Sequence, residues 1–247
     1  MIFIKKIFPL FFLHLVSCSN DKTIDSNYII EKSISVYGWD QNAYSIIFDF
    51  REYQYKLIRK PSFYSYQRSK VKDGKSVFDI MTSKIQLQRY QDSIPIKLKD
   101  SIINLYSNSL NSVMYFFQLP GLLKDNAVVS ELLGTTKILD KNYWTLRVGF
   151  KKFEGGKDFQ DEYRYWIDQN NYQITFFAYN YLTDGGGVRF REAKNIRKIN
   201  GFLFQDYDNY KPKNKATELD SLPKLFEKDS LLLVSEIKNK NIKVEIL

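Results

Sequence analysis

The stretch that decides the fold is residues 172–210, which read YQITFFAYNY LTDGGG VRFREAKNIRKI NG FLFQDYDNY. Three runs rich in aromatic and β-branched residues are separated by two short polar connections, residues 182–187 and Asn200-Gly201. The Gly, Asn and Asp residues in these connections tolerate the positive φ that a tight hairpin requires. The pattern therefore predicts three consecutive antiparallel strands.

Working outward from this stretch, the same succession of strands and turns predicts most of the chain. One long aromatic strand spans residues 44–57, with a change of side-chain parity at Arg51-Glu52 that indicates a β-bulge. A final hairpin joins residues 231–237 to 241–247. The other predicted strands are residues 63–68, 75–80, 85–90, 143–150 and 159–167.

Three segments have helical patterns. Residues 27–37 follow the capping candidates Asp25 and Ser26 and end at Gly38, and residues 100–118 carry apolar side chains at three- or four-residue spacing. Residues 125–133 form a short third candidate. Together these elements predict an α+β fold: a large curled antiparallel sheet of about ten strands, forming a half-open barrel, with the helix of residues 100–118 packed on its concave face.

The N-terminus has the features of an export signal. Lys5 and Lys6 precede a short apolar run, and Leu15-Val16-Ser17 leads directly into Cys18. This tetrapeptide resembles the lipobox of bacterial lipoproteins, which implies cleavage before Cys18 and attachment of palmitate-type acyl chains to it. The alternative is an ordinary cleavable signal that ends near a cysteine. The predicted organisation is a signal peptide (1–17), a lipidated tether (18–26) and one half-barrel domain (27–247).

The composition argues against most classes of enzyme. The only histidine, His14, and the only cysteine, Cys18, both fall in or beside the predicted signal. The mature chain would therefore lack the groups for Ser-His-Asp or Cys-His catalysis and for ordinary zinc sites. We expect no catalytic residues, no metal and no cofactor. The net charge of +9 is scattered along the chain rather than gathered into a basic stripe, so nucleic acid is not an expected partner.

The candidate ligand-binding residues lie on the predicted C-terminal strands. Arg189 and Arg191 share one strand face, and Asp206 on the next strand could pair with either, as a structural ion pair or as part of a site for an anionic head group or a carboxylated sugar. Tyr163 and Tyr165 represent the abundant aromatic residues, which either fill the core or surround an apolar cavity.

Three landmarks carry a resemblance to a known family: residues 111–120 (NSVMYFFQLP), 184–192 (DGGGVRFRE) and 206–212 (DYDNYKP). Together they resemble an uncharacterised family of lipoproteins of unknown function from Bacteroidota. More distantly, the order of elements is similar to the half-barrel lipoprotein carriers and receptors of the Gram-negative envelope. That second resemblance implies a concave apolar surface that shelters acyl chains.

These observations favour a lipid-anchored envelope lipoprotein that binds an apolar or amphiphilic ligand (a lipid, an acyl chain or a lipoprotein) non-covalently. The expected location is the outer membrane, facing the periplasm, with the cell surface as an alternative. One other functional hypothesis is an accessory or structural subunit of an outer-membrane assembly. The other is a carboxylate-dependent glycan hydrolase, for which Asp206 and Asp208 have suitable parity.

Overall fold

Fourteen strands form the framework of this computed structural model, which describes residues 24–152, 160–182 and 185–247. Cys18 and the predicted signal lie outside the described residues. In chain order the strands are β1 (Tyr44–Phe50), β2 (Tyr53–Lys60), β3 (Phe63–Lys72), β4 (Lys75–Thr82), β5 (Gln88–Gln91), β6 (Ile94–Ile96), β7 (Val128–Ile138), β8 (Lys141–Phe150), β9 (Tyr163–Asp168), β10 (Ile174–Tyr181), β11 (Gly187–Ile199), β12 (Phe202–Lys211), β13 (Leu232–Ile237) and β14 (Lys240–Ile246).

The strands make two antiparallel sheets of seven strands each. The N-terminal sheet has the order β14-β1-β2-β3-β4-β5-β6, and the C-terminal sheet has the order β13-β12-β11-β10-β9-β8-β7. The prediction of one curled sheet of about ten strands is therefore corrected to two open sheets. Strongly twisted sheets rarely exceed about ten strands without splitting, and here the pairing stops between β6 and β7, where residues 97–127 intervene.

Three α-helices occur in the described parts of the chain: α1 (Ser26–Tyr37), α2 (Asp100–Phe117) and α3 (Leu222–Glu227). The predicted first helix is confirmed, because Asp25 accepts a hydrogen bond from the Tyr28 backbone N–H and Gly38 ends the helix in the left-handed conformation. The main helix is also confirmed to within one residue. A short 3-10 helix, Gly121–Lys124, follows it.

Three local predictions are wrong. Arg51-Glu52 is a hairpin turn rather than a bulge, because Arg51 has a φ of 54° and β1 pairs antiparallel with β2. Residues 125–133 are mostly strand β7 rather than a helix, since they pair with β8 along its length. The last two strands do not form a hairpin: β13 pairs with β12 and β14 pairs with β1, so the chain crosses from one sheet to the other.

Helix α2 packs against both sheets. Its last residue, Phe117, stacks on Phe48 of the N-terminal sheet with ring centroids 3.7 Å apart and on Phe204 of the C-terminal sheet at 5.4 Å. Leu110 and Met114 on the same face are fully buried. The main hydrophobic core therefore lies between the sheets and around this helix, which is the arrangement that creates the site described next.

The C-terminal sheet is covered on its other face as well. Phe226 of α3 packs on Phe176 and Phe190, with ring centroids 5.5 Å and 5.2 Å apart. After the register shift between Ile174 and Phe176, the even-numbered residues Phe176, Ala178, Val188 and Phe190 point to the core under α3, while odd-numbered neighbours such as Phe177 and Tyr179 point towards α2. Burial of both faces explains why these strands read as nearly continuous aromatic runs.

Candidate functional site

A cleft of about 570 Å³ lies between α2 and the inner face of the C-terminal sheet. Helix α2 forms one wall, from the exposed residues Leu105 and Ser112 near the surface to the buried Phe117 at depth. Strands β9 to β13 form the opposite wall, and the β1–β2 turn reaches one edge through Arg51. The volume falls within the range of about 300–1,000 Å³ that is typical of small-molecule sites.

Aromatic rings make up the inner wall. Tyr179 lies against Phe116 of α2 and against Tyr163 of β9, with ring centroids 5.2 Å and 5.6 Å apart. The buried Phe177 lies behind this wall and meets the lining residue Tyr207 edge to face, with ring centroids 5.1 Å apart. Stacked and edge-to-face pairs at these separations hold a rigid apolar surface.

Arg191 is the buried charge of this cleft. The residue is only 7% exposed, and its guanidinium lies over the rings of Phe116, Phe177 and Tyr179, at 4.2, 5.2 and 5.3 Å from the ring centroids. Its Nη2 donates a hydrogen bond of 2.9 Å to the Tyr179 hydroxyl. Its Nε has no hydrogen-bond partner within the described part of the protein.

Arg189 also lines the cleft, two residues away on the same face of β11. It is half-buried, lies over the ring of Tyr181 at 5.0 Å and donates to the carbonyl oxygen of Val188. Neither Arg189 nor Arg191 forms an ion pair with any carboxylate in residues 24–152, 160–182 and 185–247. The register with β10 places Arg189 opposite Tyr179 and Arg191 opposite Phe177, so the two arginines lie on one face of β11, as predicted.

Asp206 does not join this pair, contrary to prediction. It lies opposite Lys194 in the β11–β12 ladder, whereas Arg191 lies opposite Asn209. Its carboxylate accepts hydrogen bonds from Arg197, Asn195 and the backbone N–H of Asn239. The neighbouring candidate Asp208 faces Lys194 at 3.9 Å. The even and odd positions of a strand face opposite sides, which separates Asp206 from the arginines.

The two predicted tyrosines have different positions. Tyr163 lines the cleft, whereas Tyr165 is fully buried behind it and shares a hydrogen bond of 3.3 Å with Tyr115. Burial raises the pKa of Tyr165 well above its usual value, with a further contribution from nearby Tyr115. Burial also raises the pKa of Tyr207 to about 12. These phenols are neutral at neutral pH, so they supply no negative charge that could offset Arg191.

The prediction missed the cleft residues contributed by α2 and by the neighbouring strands, including Phe116, Tyr179, Tyr207 and Asn209. Tyr179 lies directly opposite Arg189, and the hairpin register could have placed it on the same face. The contribution of α2 carries no comparable signal, because which helix side chains meet which strand depends on packing.

A second cavity of about 600 Å³ lies beside Gly185–Gly187, outside the two-sheet core. Its charged lining residue Arg164 is engaged by Asp220 at 2.6 Å and by Glu162 at 2.6 Å. The buried arginine of that groove is thus matched by two carboxylates. The cleft with Arg191 remains the stronger candidate because its charge is unmatched.

Sequence comparison identifies the family. A profile described as "Family of unknown function (DUF6503)" matches residues 5–239, nearly the whole chain. The chain belongs to this family. Membership in DUF6503 agrees with the predicted resemblance to a family of unknown function, and it assigns no activity. No curated protein matches the sequence.

The chain is similar to several solved structures. The chain is similar to a LolA superfamily protein from Nitrosomonas europaea, with a TM-score of 0.52 and 14% identity over 91% of this chain and 95% of that one. A DUF1329 family protein from Desulfovibrio piger matches with a TM-score of 0.42 and 11% identity, over 88% and 92% of the two chains. A domain from Vibrio parahaemolyticus described as an outer membrane lipoprotein-sorting protein matches with a TM-score of 0.43 and 6% identity, over 88% and 91%.

The first of these matches shows that the chain has a mostly-β LolA-like fold. The helices among the described residues are too short or too polar for any of them to span a membrane.

Proposed function

We propose that this protein is a lipid-anchored envelope lipoprotein that holds an apolar or amphiphilic ligand non-covalently in the cleft beside α2. The ligand class is a lipid, an acyl chain or the acylated end of a lipoprotein. The observation that carries the proposal is the cleft itself, which has a wall of aromatic rings and a polar end at Arg191. Such a combination suits a molecule with an apolar body and one polar group.

The membrane attachment is proposed on the sequence motif before Cys18. Two or three acyl chains on that residue would anchor the protein stably, whereas a single chain would bind a membrane only reversibly. The proposed location is the outer membrane facing the periplasm. In cells labelled with radioactive palmitate, the wild-type band should carry label and the Cys18→Ser band should not. An unlabelled wild-type band would contradict the anchor.

The binding proposal is tested by blocking the cleft. Ser112 is exposed and lines the cleft from α2, so Ser112→Trp would fill its mouth with little effect on folding. The matched control is Asn111→Trp at the neighbouring exposed position, which does not line it. Binding of a fluorescent fatty acid should weaken about tenfold, or about 1.4 kcal/mol, in Ser112→Trp only. Failure of the wild-type protein to bind any amphiphile would contradict the proposal.

A second candidate function is an accessory subunit of an outer-membrane assembly. The observation that favours it is the edge strand β13, where Leu232, Leu233 and Val234 are all about half exposed. An exposed apolar edge strand is a site at which another chain can pair. Purification of a stoichiometric membrane partner together with an empty cleft would favour this role over ligand binding.

A further inference from the structure

We propose that the ligand of the cleft carries an anionic oxygen head group, a carboxylate or a phosphate, and that Arg191 binds it. This inference rests on the proposed function, and it narrows the ligand from any apolar or amphiphilic molecule to an acidic one with an apolar chain. The inference starts from the state of the Arg191 side chain in the ligand-free protein.

Arg191 is buried without the compensation that buried charges normally have. It is 93% buried, has a single side-chain hydrogen bond to a neutral phenol, and leaves Nε without a partner among the described residues. Transfer of a guanidinium out of water is unfavourable unless an opposite charge and good hydrogen bonds replace the lost hydration. Within residues 24–152, 160–182 and 185–247 no carboxylate pairs with Arg191, and its one side-chain hydrogen bond leaves Nε unsatisfied, so we infer that the missing partner is an anion from outside.

Two other buried arginines, Arg68 and Arg164, show how this protein normally compensates a buried guanidinium. Arg68, which is 4% exposed, donates to Asp79 at 2.8 Å, and Arg164, which is 6% exposed, donates to Asp220 at 2.6 Å. Each has a carboxylate at hydrogen-bond distance. Arg191 is about as buried as these two, but no carboxylate of the described residues lies at hydrogen-bond distance from it.

The guanidinium is also held ready for a ligand. Three aromatic rings within 5.3 Å and the hydrogen bond to the Tyr179 hydroxyl hold its plane in one orientation. An oriented guanidinium presents paired N–H groups that match two oxygens of a carboxylate or phosphate. Rigid positioning lowers the entropy that is lost when the ligand binds.

The surroundings favour an anion as well. The charged residues that line the cleft are Arg51, Arg189, Arg191 and Asp161, so positive side chains predominate. Asn209, which lies opposite Arg191 across the ladder, has a buried amide whose oxygen has no partner in the described structure. A head group that bears a hydroxyl or an acidic proton could donate to this oxygen while its charged oxygens contact Arg191.

The apolar part of the ligand is assigned to the aromatic wall. Phe116, Tyr163 and Tyr179 continue from the guanidinium along the cleft, and the volume of about 570 Å³ suits a single chain better than a bulky multi-chain lipid. The expected ligand class is therefore a single-chain amphiphile with an acidic head.

The experiment compares five probes on the purified protein without its signal, measured by calorimetry or by displacement of a fluorescent fatty acid. The probes are palmitate, hexadecyl phosphate, hexadecanol, acetate and inorganic phosphate. We expect palmitate or hexadecyl phosphate to bind at least about tenfold more tightly than hexadecanol, because a hydrogen-bonded charge contributes more than a neutral group. Acetate and phosphate alone should bind weakly, and equal affinity for these short anions would overturn the assignment of an amphiphile.

Variants test the role of Arg191 directly. Arg191→Met keeps the length and the apolar stem of the side chain but removes the charge. The variant should bind palmitate, hexadecyl phosphate and hexadecanol with about equal affinity. Arg191→Lys, which retains a positive charge, should keep part of the preference for the acidic probes over hexadecanol. Arg147→Met, on an exposed arginine of the same sheet, is the matched control and should change nothing.

Stability supplies a second measurement that separates function from folding. Because Arg191 is an uncompensated buried charge, ligand-free Arg191→Met should melt at the same temperature as the wild type or higher. A marked decrease in melting temperature would mean that Arg191 is structural, which would overturn the inference. If no chain-bearing probe binds the wild type, the proposed function fails; if hexadecanol and palmitate bind alike, only the acidic head group fails.

Discussion

At the scale of single residues, the buried charges of the protein have two kinds of environment. Asp79 is fully buried and accepts hydrogen bonds from Arg68 at 2.8 Å and from Arg89 at 2.6 Å. The ring of Tyr106 lies 3.7 Å from the Arg89 guanidinium and closes the cluster. Each buried charge of this cluster has an opposite charge at hydrogen-bond distance, which is typical of a structural ion pair. Arg191 has no such carboxylate partner in the part of the chain that the structure describes, and that contrast is the physical basis of the proposed ligand site.

The structural cluster gives the first prediction. Asp79→Asn removes the only carboxylate shared by the two arginines, so it should lower the free energy of unfolding by about 3–5 kcal/mol. Urea denaturation followed by circular dichroism measures the change. The control is Glu131→Gln, which breaks an exposed pair with Arg147 and should change stability by less than about 1 kcal/mol. If both substitutions lowered the free energy of unfolding equally, burial of the Asp79 ion pairs would not explain their contribution to stability.

The candidate site was partly predictable at this scale. Arg189, Arg191 and Tyr163 all line the cleft, and strand alternation in the sequence already placed the two arginines on one face. Tyr165 and Asp206 do not line it. Asp206 was misassigned because an ion pair between strands depends on register, and the bulge between Lys194 and Arg197 shifts the register of this ladder.

At the scale of elements, α1 is fastened to the C-terminal sheet at its end. The Tyr37 hydroxyl donates to Gln205 at 2.7 Å and accepts from the backbone N–H of Ile174 at 3.0 Å, so it joins two strands. Gly38 follows with a φ of 74° and lies directly against the turn that contains Gly201. The helix end and this hairpin turn therefore fit together only because position 38 has no side chain.

This contact gives the second prediction. A Cβ at position 38 would lie 2.5 Å from the carbonyl oxygen of Gly201, so Gly38→Ala combines a backbone clash with left-handed strain. We expect a loss of more than about 2 kcal/mol in the free energy of unfolding. Gly74→Ala is the matched control, because its φ is 72° and no atom lies within 4 Å of its Cβ.

The control should lose only about 1 kcal/mol, the cost of the left-handed conformation alone. Thermal or urea unfolding of both variants measures the difference. If Gly74→Ala were as damaging as Gly38→Ala, the close approach of α1 to the Gly201 turn would not be the cause.

Elements with a strong local signal were predicted well, and elements defined by their partners were not. Asp25, Gly38 and the apolar spacing of α2 act within the helix itself, so both helices were found. The prediction of a helix over residues 125–133 is wrong because this segment has no decisive local period, and its pairing with β8 makes most of it a strand. Short apolar segments of this kind are decided by tertiary contacts.

At the scale of the whole molecule, the two-sheet core is rich in buried tyrosines. Burial raises the pKa of Tyr44 and of Tyr207 to about 12, and it raises that of Tyr37 well above the usual value. An unfolded tyrosine ionises near pH 10. The folded protein therefore keeps protons that the unfolded chain loses as the pH rises above about 10.

The third prediction follows from the sign of this difference. The stabilisation is fully present below about pH 10 and is lost between about pH 10 and 12, so the free energy of unfolding should fall by about 1.4 kcal/mol per pH unit for each such tyrosine. Urea unfolding at pH 8 to 11 measures the slope, and absorbance at 295 nm follows phenolate. Tyr207→Phe should reduce this slope by the contribution of one tyrosine, about 1.4 kcal/mol per pH unit. Ionisation of every tyrosine near pH 10 in the still-folded protein would contradict it.

The sequence by itself determined the positions of most strands, the two long helices and the placement of Arg189 and Arg191 on one strand face. Those features follow from local periodicity, capping and composition, which act over a few residues. Only the tertiary structure decided the division into two sheets, the crossing of the last strands between them and the cleft beside α2. Pairing between distant strands and the insertion of a helix depend on how whole faces pack, and packing is a property of surfaces that local sequence patterns do not encode.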